Sequence, residues 1–246
     1  MINTIQRNIR YMRQFINYFS ENCGMKTYAV IVAGGSGARM GSELPKQFLP
    51  IHGVPVLIHT IRAFLSAIED IHIVVVLPEL HLEAGRGYLQ QFLPGQHATL
   101  VSGGPARFDS VRNGLAVTDE EAMVFVHDAV RCMVSPTLIR KCFHDALQFG
   151  SSIPVVPVKD SIRMIEGEHS VVVDRSILRA IQTPQTFPAG ELKKAFEQPN
   201  QPAFTDEATV WEYYGKTVHL TEGEERNIKI TYPTDLLLAE QLLTKV

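Results

Sequence analysis

The chain has 246 residues, 23 Lys+Arg against 26 Asp+Glu for a formal charge of −3, with 45% apolar and 20% charged residues. That is the composition of a globular protein long enough to bury a core, and it excludes disordered, collagen-like and disulfide-scaffold classes. The slightly acidic balance argues against nucleic acid as a partner, and no run reaches the roughly 18 uninterrupted apolar residues of a membrane span.

Residues 1–24 differ from the rest, carrying Arg7, Arg10 and Arg13 with Glu21 as their one acid. Ile2, Ile5, Ile9, Met12, Ile16 and Phe19 fall at helical spacing, the pattern of a short amphipathic helix. No continuous apolar core marks a secretory signal. The expectation is a dispensable, poorly ordered extension upstream of Met25, where the first strand begins.

From there strands and helices alternate. Tyr28–Ala33 is an apolar β-branched run stopped by glycines, as in a strand buried on both faces. Pro55–Ala67 has helical spacing with proline at its start. Ile71–Leu77 is a second buried strand, and Glu79–Phe92 a helix weakened by Gly85 and Gly87. A strand ending at Val101, a helix over Arg107–Val117, a strand over Ala122–His127 and a helix over Pro136–Phe149 follow. The pattern predicts an α/β, Rossmann-like fold with a mostly parallel sheet and helices on both faces. Ligands of such sheets bind beyond the carboxyl ends of the strands.

Val155–Ile165 and Val171–Val173 interrupt the alternation. They flank Glu166-Gly167-Glu168-His169, a hairpin turn, and predict a protruding β-hairpin arm at about residues 158–176. An isolated ribbon is marginal in water, which favours packing on a second subunit. A helix is expected near Asp206, packed by Trp211, Tyr213 and Tyr214, and a last one from Pro233. Residues 25–246 thus read as a single domain with an arm, and no fused second domain is expected after the final helix.

The first strand runs into Ala33-Gly34-Gly35-Ser36-Gly37-Ala38-Arg39-Met40, with Pro45-Lys46-Gln47-Phe48 close behind. A P-loop would need Gly-Lys followed by Ser/Thr, a dinucleotide fingerprint a glycine at Met40, and a nucleophile elbow a glycine at Ala38; each is missed. What remains is a turn whose amides can face anionic oxygens, with Arg39 and Lys46 supplied alongside. Amides, Arg, Lys and Mg²⁺ are the groups that stabilise charge when a nucleotide α-phosphate is attacked. The plain alternative is a tight turn with two solvated cations.

This stretch resembles the signature of nucleotidyltransferases that activate sugar and polyol phosphates. Gly103-Gly104 with Arg107 and Asp109-Ser110-Val111, His127-Asp128-Ala129-Val130-Arg131, Asp174-Arg175 before Gln182-Thr183-Pro184-Gln185, and Asn227-Ile228-Lys229 narrow the resemblance. In order from Met25 onward they resemble the 2-C-methyl-D-erythritol 4-phosphate cytidylyltransferases of non-mevalonate isoprenoid synthesis. The resemblance implies a cytoplasmic homodimer that exchanges arms, takes CTP and Mg²⁺, and releases pyrophosphate. It gives Ala33, Gly34, Gly35 and Gly37 to the CTP phosphates, and Gly104, Arg107, Ser110 and Ala129 to the rest of the nucleotide. Arg39 and Lys46 are the transition-state cations, and Arg175 and Lys229 the cations for the acceptor phosphate. Asp128, Arg131, Ser161 and Thr183 are implied at the acceptor, Asp128 also at Mg²⁺, and Arg175 and Ser161 would serve the partner's site.

The acceptor phosphate is the nucleophile and is already largely ionised at neutral pH, with a second pKa near 6. No general base is needed, in keeping with the lack of a convincing Ser/His/Asp or Cys/His set. His127 reads as a packed strand-end histidine, and the nine histidines have no paired metal spacing. The cysteines (Cys23, Cys132 and Cys142) have no CxxC spacing and suit reduced thiols. Pro105 and Cys132 depart from the family pattern, Cys132 as an inert buried thiol, and Ser161 keeps the hydroxyl of a frequent threonine. Rival readings are a ribitol-5-phosphate cytidylyltransferase, which Asp109-Ser110-Val111 and Asp174-Arg175-Ser176-Ile177-Leu178 disfavour, an α/β serine hydrolase using Ser36, and a catalytically dead nucleotide-binding subunit.

Overall fold

The computed structural model describes residues 25–35, 40–42 and 44–243. The readings placed on residues 1–24, Cys23 included, and on Ser36, Gly37, Ala38 and Arg39 lie outside the described residues. In chain order the elements are β1 Thr27–Val32, β2 Pro50–Ile51, β3 Val54–Pro55, α1 Val56–Ala67, β4 His72–Leu77, α2 Leu82–Phe92, β5 Ala98–Ser102, α3 Arg107–Ala116, β6 Met123–Asp128 and α4 Pro136–Phe149. There follow β7 Ile153–Pro157, β8 Ile162–Glu166, β9 His169–Val173, β10 Arg179–Ile181, β11 Gln185–Pro188, α5 Ala189–Ala195, α6 Glu207–Tyr213, β12 Leu220–Glu222 and α7 Pro233–Leu243.

The main sheet has the order β11-β6-β1-β4-β5, parallel except for β11, which runs antiparallel to β6. All six residues of β1 are buried, because alternate side chains enter two different cores. Ala29 and Ile31 join Ile73, Val75 and Phe125 under α1, α2 and α4. Val30 and Val32 join Val74, Val76 and Val126 under α3, α5 and α6. Helices therefore cover both faces, as the near-continuous apolar strands require.

Local chemistry sets several boundaries. Ser135 caps α4, its hydroxyl accepting from the Leu138 N–H at 3.0 Å; Pro136 opens the helix and Gly150, at φ +83°, ends it. Gly85, whatever its propensity costs the second helix, has a packing role. A Cβ there would lie 2.4 Å from Leu77 Cδ1, so glycine is what lets α2 approach the sheet. The helix read from Glu79 is a 3-10 turn over Glu79–His81 followed by α2.

The stretch read as one strand over Val155–Ile165 is two. β7 pairs with β10 and β12 in a separate three-stranded sheet, whereas β8 pairs only with β9 in the arm. The chain changes sheets at Val158–Ser161, just after Pro157, which cannot donate to a ladder. Gly167 takes the hairpin turn at φ +62°. Ile165 and Val172 on the ribbon are 73% and 72% exposed. Trp211 is buried as expected, but Tyr213 and Tyr214 are exposed. Only one face of so short a helix reaches the core.

Candidate active site

The chain runs from β1 to β4 on one side of the sheet and later returns to β6 on the other, so the carboxyl ends of these strands flank a topological switch point. A cavity of about 210 Å³ opens there. Ala33, Gly34 and Gly35 leave β1 along one wall, and Gly104, Arg107 and Ser110 form another. Asp128, Lys46 and Lys229 complete it.

The glycine turn is fixed from below. Ala33 donates its N–H to Val76 O at 2.8 Å, and its carbonyl accepts from Gln47 Nε2 at 2.9 Å, with Gln47 itself 1% exposed. Lys46, in the 3-10 turn Lys46–Phe48, donates to Ile230 O at 3.3 Å. A Cβ on Gly35 would lie 3.3 Å from Lys46 Cε, so the missing side chain leaves room for the lysine to cross the loop.

On the facing wall a Cβ on Gly104 would come within 2.3 Å of Asp109 Cβ, which only glycine avoids. The Gly104 N–H donates to Ser110 Oγ at 3.1 Å, and that hydroxyl donates to Ala106 O at 3.1 Å. Ser110 thus shapes the wall as well as lining it. Pro105 beside it offers no N–H.

Asp128 ends β6 at the centre of a charge cluster. Its Oδ2 is 2.9 Å from Lys229 Nζ and 3.5 Å from Arg131 Nε, and its Oδ1 is 3.5 Å from Arg107 NH2. Burial alone would raise the carboxyl pKa, but Arg107, Lys229 and Arg131 outweigh it and hold Asp128 well below the usual carboxylate range. Arg107 also grips Glu207 with both arms of its guanidinium, NH1 to Oε1 and NH2 to Oε2, the latter at 3.1 Å. Burial works against the Arg107 charge, yet Glu207 and Asp128 raise its proton affinity. Burial raises the Glu207 carboxyl, with Arg107 opposing.

The floor is neutral. His127 is wholly buried, and burial pushes its pKa down to about 3. Its Nε2 lies 3.2 Å from Arg131 O and its Nδ1 3.0 Å from Thr183 Oγ1, which also accepts the Asp128 N–H at 3.1 Å. It packs the strand end and has no face on the cavity. Asn227, also wholly buried, donates Nδ2 to Thr183 O at 2.8 Å, while its backbone carbonyl accepts from Arg131 NH1 at 2.9 Å. Cys132 is buried, and burial pushes its thiol up to about 12.

Of the site residues read from sequence, the structure brings Ala33, Gly34, Gly35, Lys46, Gly104, Arg107, Ser110, Asp128 and Lys229 to one cavity. Arg131 and Thr183 lie directly behind Asp128. Ala129 departs from the expected nucleotide contact: it is wholly buried, its N–H bonded to Val32 O and its carbonyl to Thr60 Oγ1. Arg175 and Ser161 are exposed at the base of the arm, outside the cavity lining of their own chain, with Arg175 donating to Lys159 O. The parts played by Gln47, Glu207 and Asn227 emerge only from the structure, since nothing in the sequence pairs them with the groups they hold.

For Mg²⁺ the donor set is thin. Among the described residues no group of three or more His, Cys, Asp or Glu could hold a metal. Among them Asp128 is the one carboxylate lining the cavity, and both its oxygens already face cations. The residues do not fit a protein-held ion; they fit one that arrives on a triphosphate, as Mg²⁺ commonly does.

A glycine turn and converging cations at the switch point of a Rossmann-like sheet, over a floor without a base, define an enzyme that transfers nucleotidyl groups. The family model described as 2-C-methyl-D-erythritol 4-phosphate cytidylyltransferase matches residues 27–245, and the chain belongs to that family. It is 45% identical to the enzyme of that name from Bacteroides fragilis, over 87% of this chain and 98% of the relative. It is 43% identical to the Bacteroides thetaiotaomicron enzyme over 89% of this chain and all of the relative. The crystal structure of the Thermus thermophilus enzyme superposes with a TM-score of 0.67 at 30% identity, covering 87% of this chain and 98% of that one. Among the described residues no helix is long and apolar enough to cross a membrane.

Proposed function

We infer that this chain transfers the cytidylyl group of CTP to 2-C-methyl-D-erythritol 4-phosphate, giving 4-diphosphocytidyl-2-C-methyl-D-erythritol and pyrophosphate. The observation that carries the reading is the meeting of Lys46, Lys229 and the glycine turn at one cavity beside Asp128, over a neutral, inaccessible His127.

An oxygen of the acceptor phosphate bonds to the α-phosphorus. The bond from that phosphorus to the bridging oxygen breaks, and pyrophosphate leaves with the electron pair. The nucleophile arrives as an anion, so no side chain has to remove a proton. Gly34, Gly35 and Gly37 would turn amides toward the triphosphate, and Lys46 with Arg39 would neutralise charge on the equatorial oxygens and the leaving group. Gly104, Ser110 and Arg107 would border the nucleotide. Lys229, with Asp128, Arg131 and Thr183 behind it, would hold the acceptor in line.

Two further parts belong to the same reading. A Mg²⁺ ion bound to the CTP phosphates would supply positive charge to the triphosphate, and Asp128 is the carboxylate of the cavity lining, among the described residues, that could face it. The arm packs on a second copy, which covers Ile165 and Val172 and brings Arg175 and Ser161 of the partner subunit to the acceptor. The enzyme works in the cytoplasm, where CTP is found. The test is pyrophosphate release from CTP and Mg²⁺ with methylerythritol phosphate or ribitol 5-phosphate as acceptor. Faster turnover of ribitol phosphate would assign the chain to the rival acceptor, and release with neither would overturn the reading.

A further inference from the structure

Two motifs of this chain have no part in the chemistry so far: Gln185, which closes Gln182-Thr183-Pro184-Gln185, and Thr205-Asp206-Glu207-Ala208. The structure joins them. Gln185 is wholly buried on β11. Its Nε2 donates to Asp206 Oδ2 at 2.9 Å and its Oε1 accepts from the Ala208 N–H at 2.8 Å, fastening the first turn of α6 to the main sheet. Asp206 also caps that turn, accepting from the Thr209 N–H at 2.9 Å. The residue held between them is Glu207, whose side chain has no exposure.

A wholly buried carboxylate is costly unless its charge is met. Among the described residues Glu207 is met by one group, the Arg107 fork. The consequence appears at the other end of that guanidinium. Arg107 spends both NH1 and NH2 on Glu207 and so reaches Asp128 with NH2 alone, at 3.5 Å to Oδ1. Without Glu207 the planar fork would be released to turn toward both Asp128 oxygens, its preferred geometry with a carboxylate. That would compete with Lys229, which holds Oδ2 at 2.9 Å.

We propose that Glu207 is a positioning residue: by holding the Arg107 fork it keeps Arg107 on the nucleotide wall and reserves Asp128 Oδ2 for Lys229. Glu207 touches no substrate and acts through Arg107. The chain of contacts runs from Gln185 through α6, Glu207, Arg107 and Asp128 to Lys229. It crosses from the sheet to the cavity in side chains at most part-exposed until Lys229 itself. The proposal rests on the reading of the cavity as the site of nucleotidyl transfer.

The test is a double-mutant cycle on kcat/KM for CTP, with folded fraction read by circular dichroism. Glu207→Gln keeps the shape but offers one acceptor and turns N–H groups toward a guanidinium. It should lower kcat/KM by at least tenfold in folded protein. In an Arg107→Lys background, which keeps the charge and loses the fork, the same change should cost less than about threefold, because the two residues act as a unit. Should Glu207→Gln fail to fold, Glu207→Asp keeps the charge and withdraws the carboxylate by one methylene. It should fold and lose about as much activity. Wild-type rates in a folded Glu207 variant, or the same loss with and without the Arg107 fork, would overturn the proposal. Wild-type turnover is the separate check on the underlying reading.

Discussion

Asp128→Asn removes one charge from the cavity and keeps the side chain's shape. The Asp128 side chain is 11% exposed and faces Arg107, Arg131 and Lys229. Lys229 is 43% exposed, so its pair behaves as a surface contact worth at most about 1 kcal/mol. Arg107 keeps the Glu207 fork and stays compensated. Arg131, only 12% exposed, is left with the backbone carbonyls of Asn227 and Ile181 and, among the described residues, no paired anion. Stranding a buried charge costs roughly 3–5 kcal/mol, and the long 3.5 Å contact favours the lower end, so about 3 kcal/mol is expected. For a chain of this size that is a fall in Tm of about 6–12 °C. Thermal unfolding of both proteins at pH 7 measures it, and a fall below about 2 °C would refute the reasoning.

The same pair of proteins tests the sign of the titration. Asp128 is held below its unfolded value of about 3.9, so its contribution is complete at any pH above that value. It is lost as pH falls through the native pKa. The stability gap between wild type and Asp128→Asn should therefore be flat from pH 8 to 5 and close only in strong acid. A gap that closes between pH 7 and 5 would mean that the three cations do not hold the carboxyl low.

Lys46→Ala should lower kcat by about a hundredfold or more with Tm nearly unchanged, since a well-aimed donor at a developing charge is worth roughly 3–4 kcal/mol; near-native turnover would remove Lys46 from the mechanism. At saturating CTP, kcat/KM for the acceptor should rise with pH to a plateau just above the phosphate pKa near 6, with no inflection from His127, whose pKa burial pushes down to about 3. Loss of that profile in a His127 variant that stays folded would contradict the assignment. If arms exchange, a one-to-one mixture of Arg39→Ala and Arg175→Ala subunits should regain about a quarter of wild-type activity, since half the dimers are hybrids and each has one complete site. No recovery in subunits shown to have mixed would assign both cations to one chain.

The fold was legible because apolar period and turn residues agree along most of the chain. Strands buried on both faces and helices with one apolar stripe can form few arrangements other than a covered parallel sheet. Local pattern was silent where pairing decides. Pro157 marks a break in Val155–Ile165, but not that the two halves join different sheets, because that depends on β10 and β12, which come later in the chain. The packing role of Gly85 was hidden because nothing nearby in the sequence shows Leu77 beneath it. In the site, Arg39 and Lys46 announced themselves by charge close to the glycine turn, whereas Lys229 and Arg175 came from the family resemblance. Those that position them did not, because Glu207 acquires its meaning from an arginine 100 positions away.

The distribution of charge explains why the cavity has cations at its rim and a neutral histidine underneath. Two polyanions must meet there, and their mutual repulsion rises as the phosphate approaches the α-phosphorus. Among the described residues Lys46, Arg107 and Lys229 line the cavity against one carboxylate, Asp128, so this wall is positive. Cations with no fixed partner would repel one another and swing toward solvent. Asp128 beside Lys229 and Glu207 beside Arg107 hold them in place, the first lining the cavity and the second wholly buried behind it. A charged His127 would add a further buried cation to this cluster. Burial keeps it neutral, so it can hold the Asp128 backbone through Thr183 without changing the field the substrates meet.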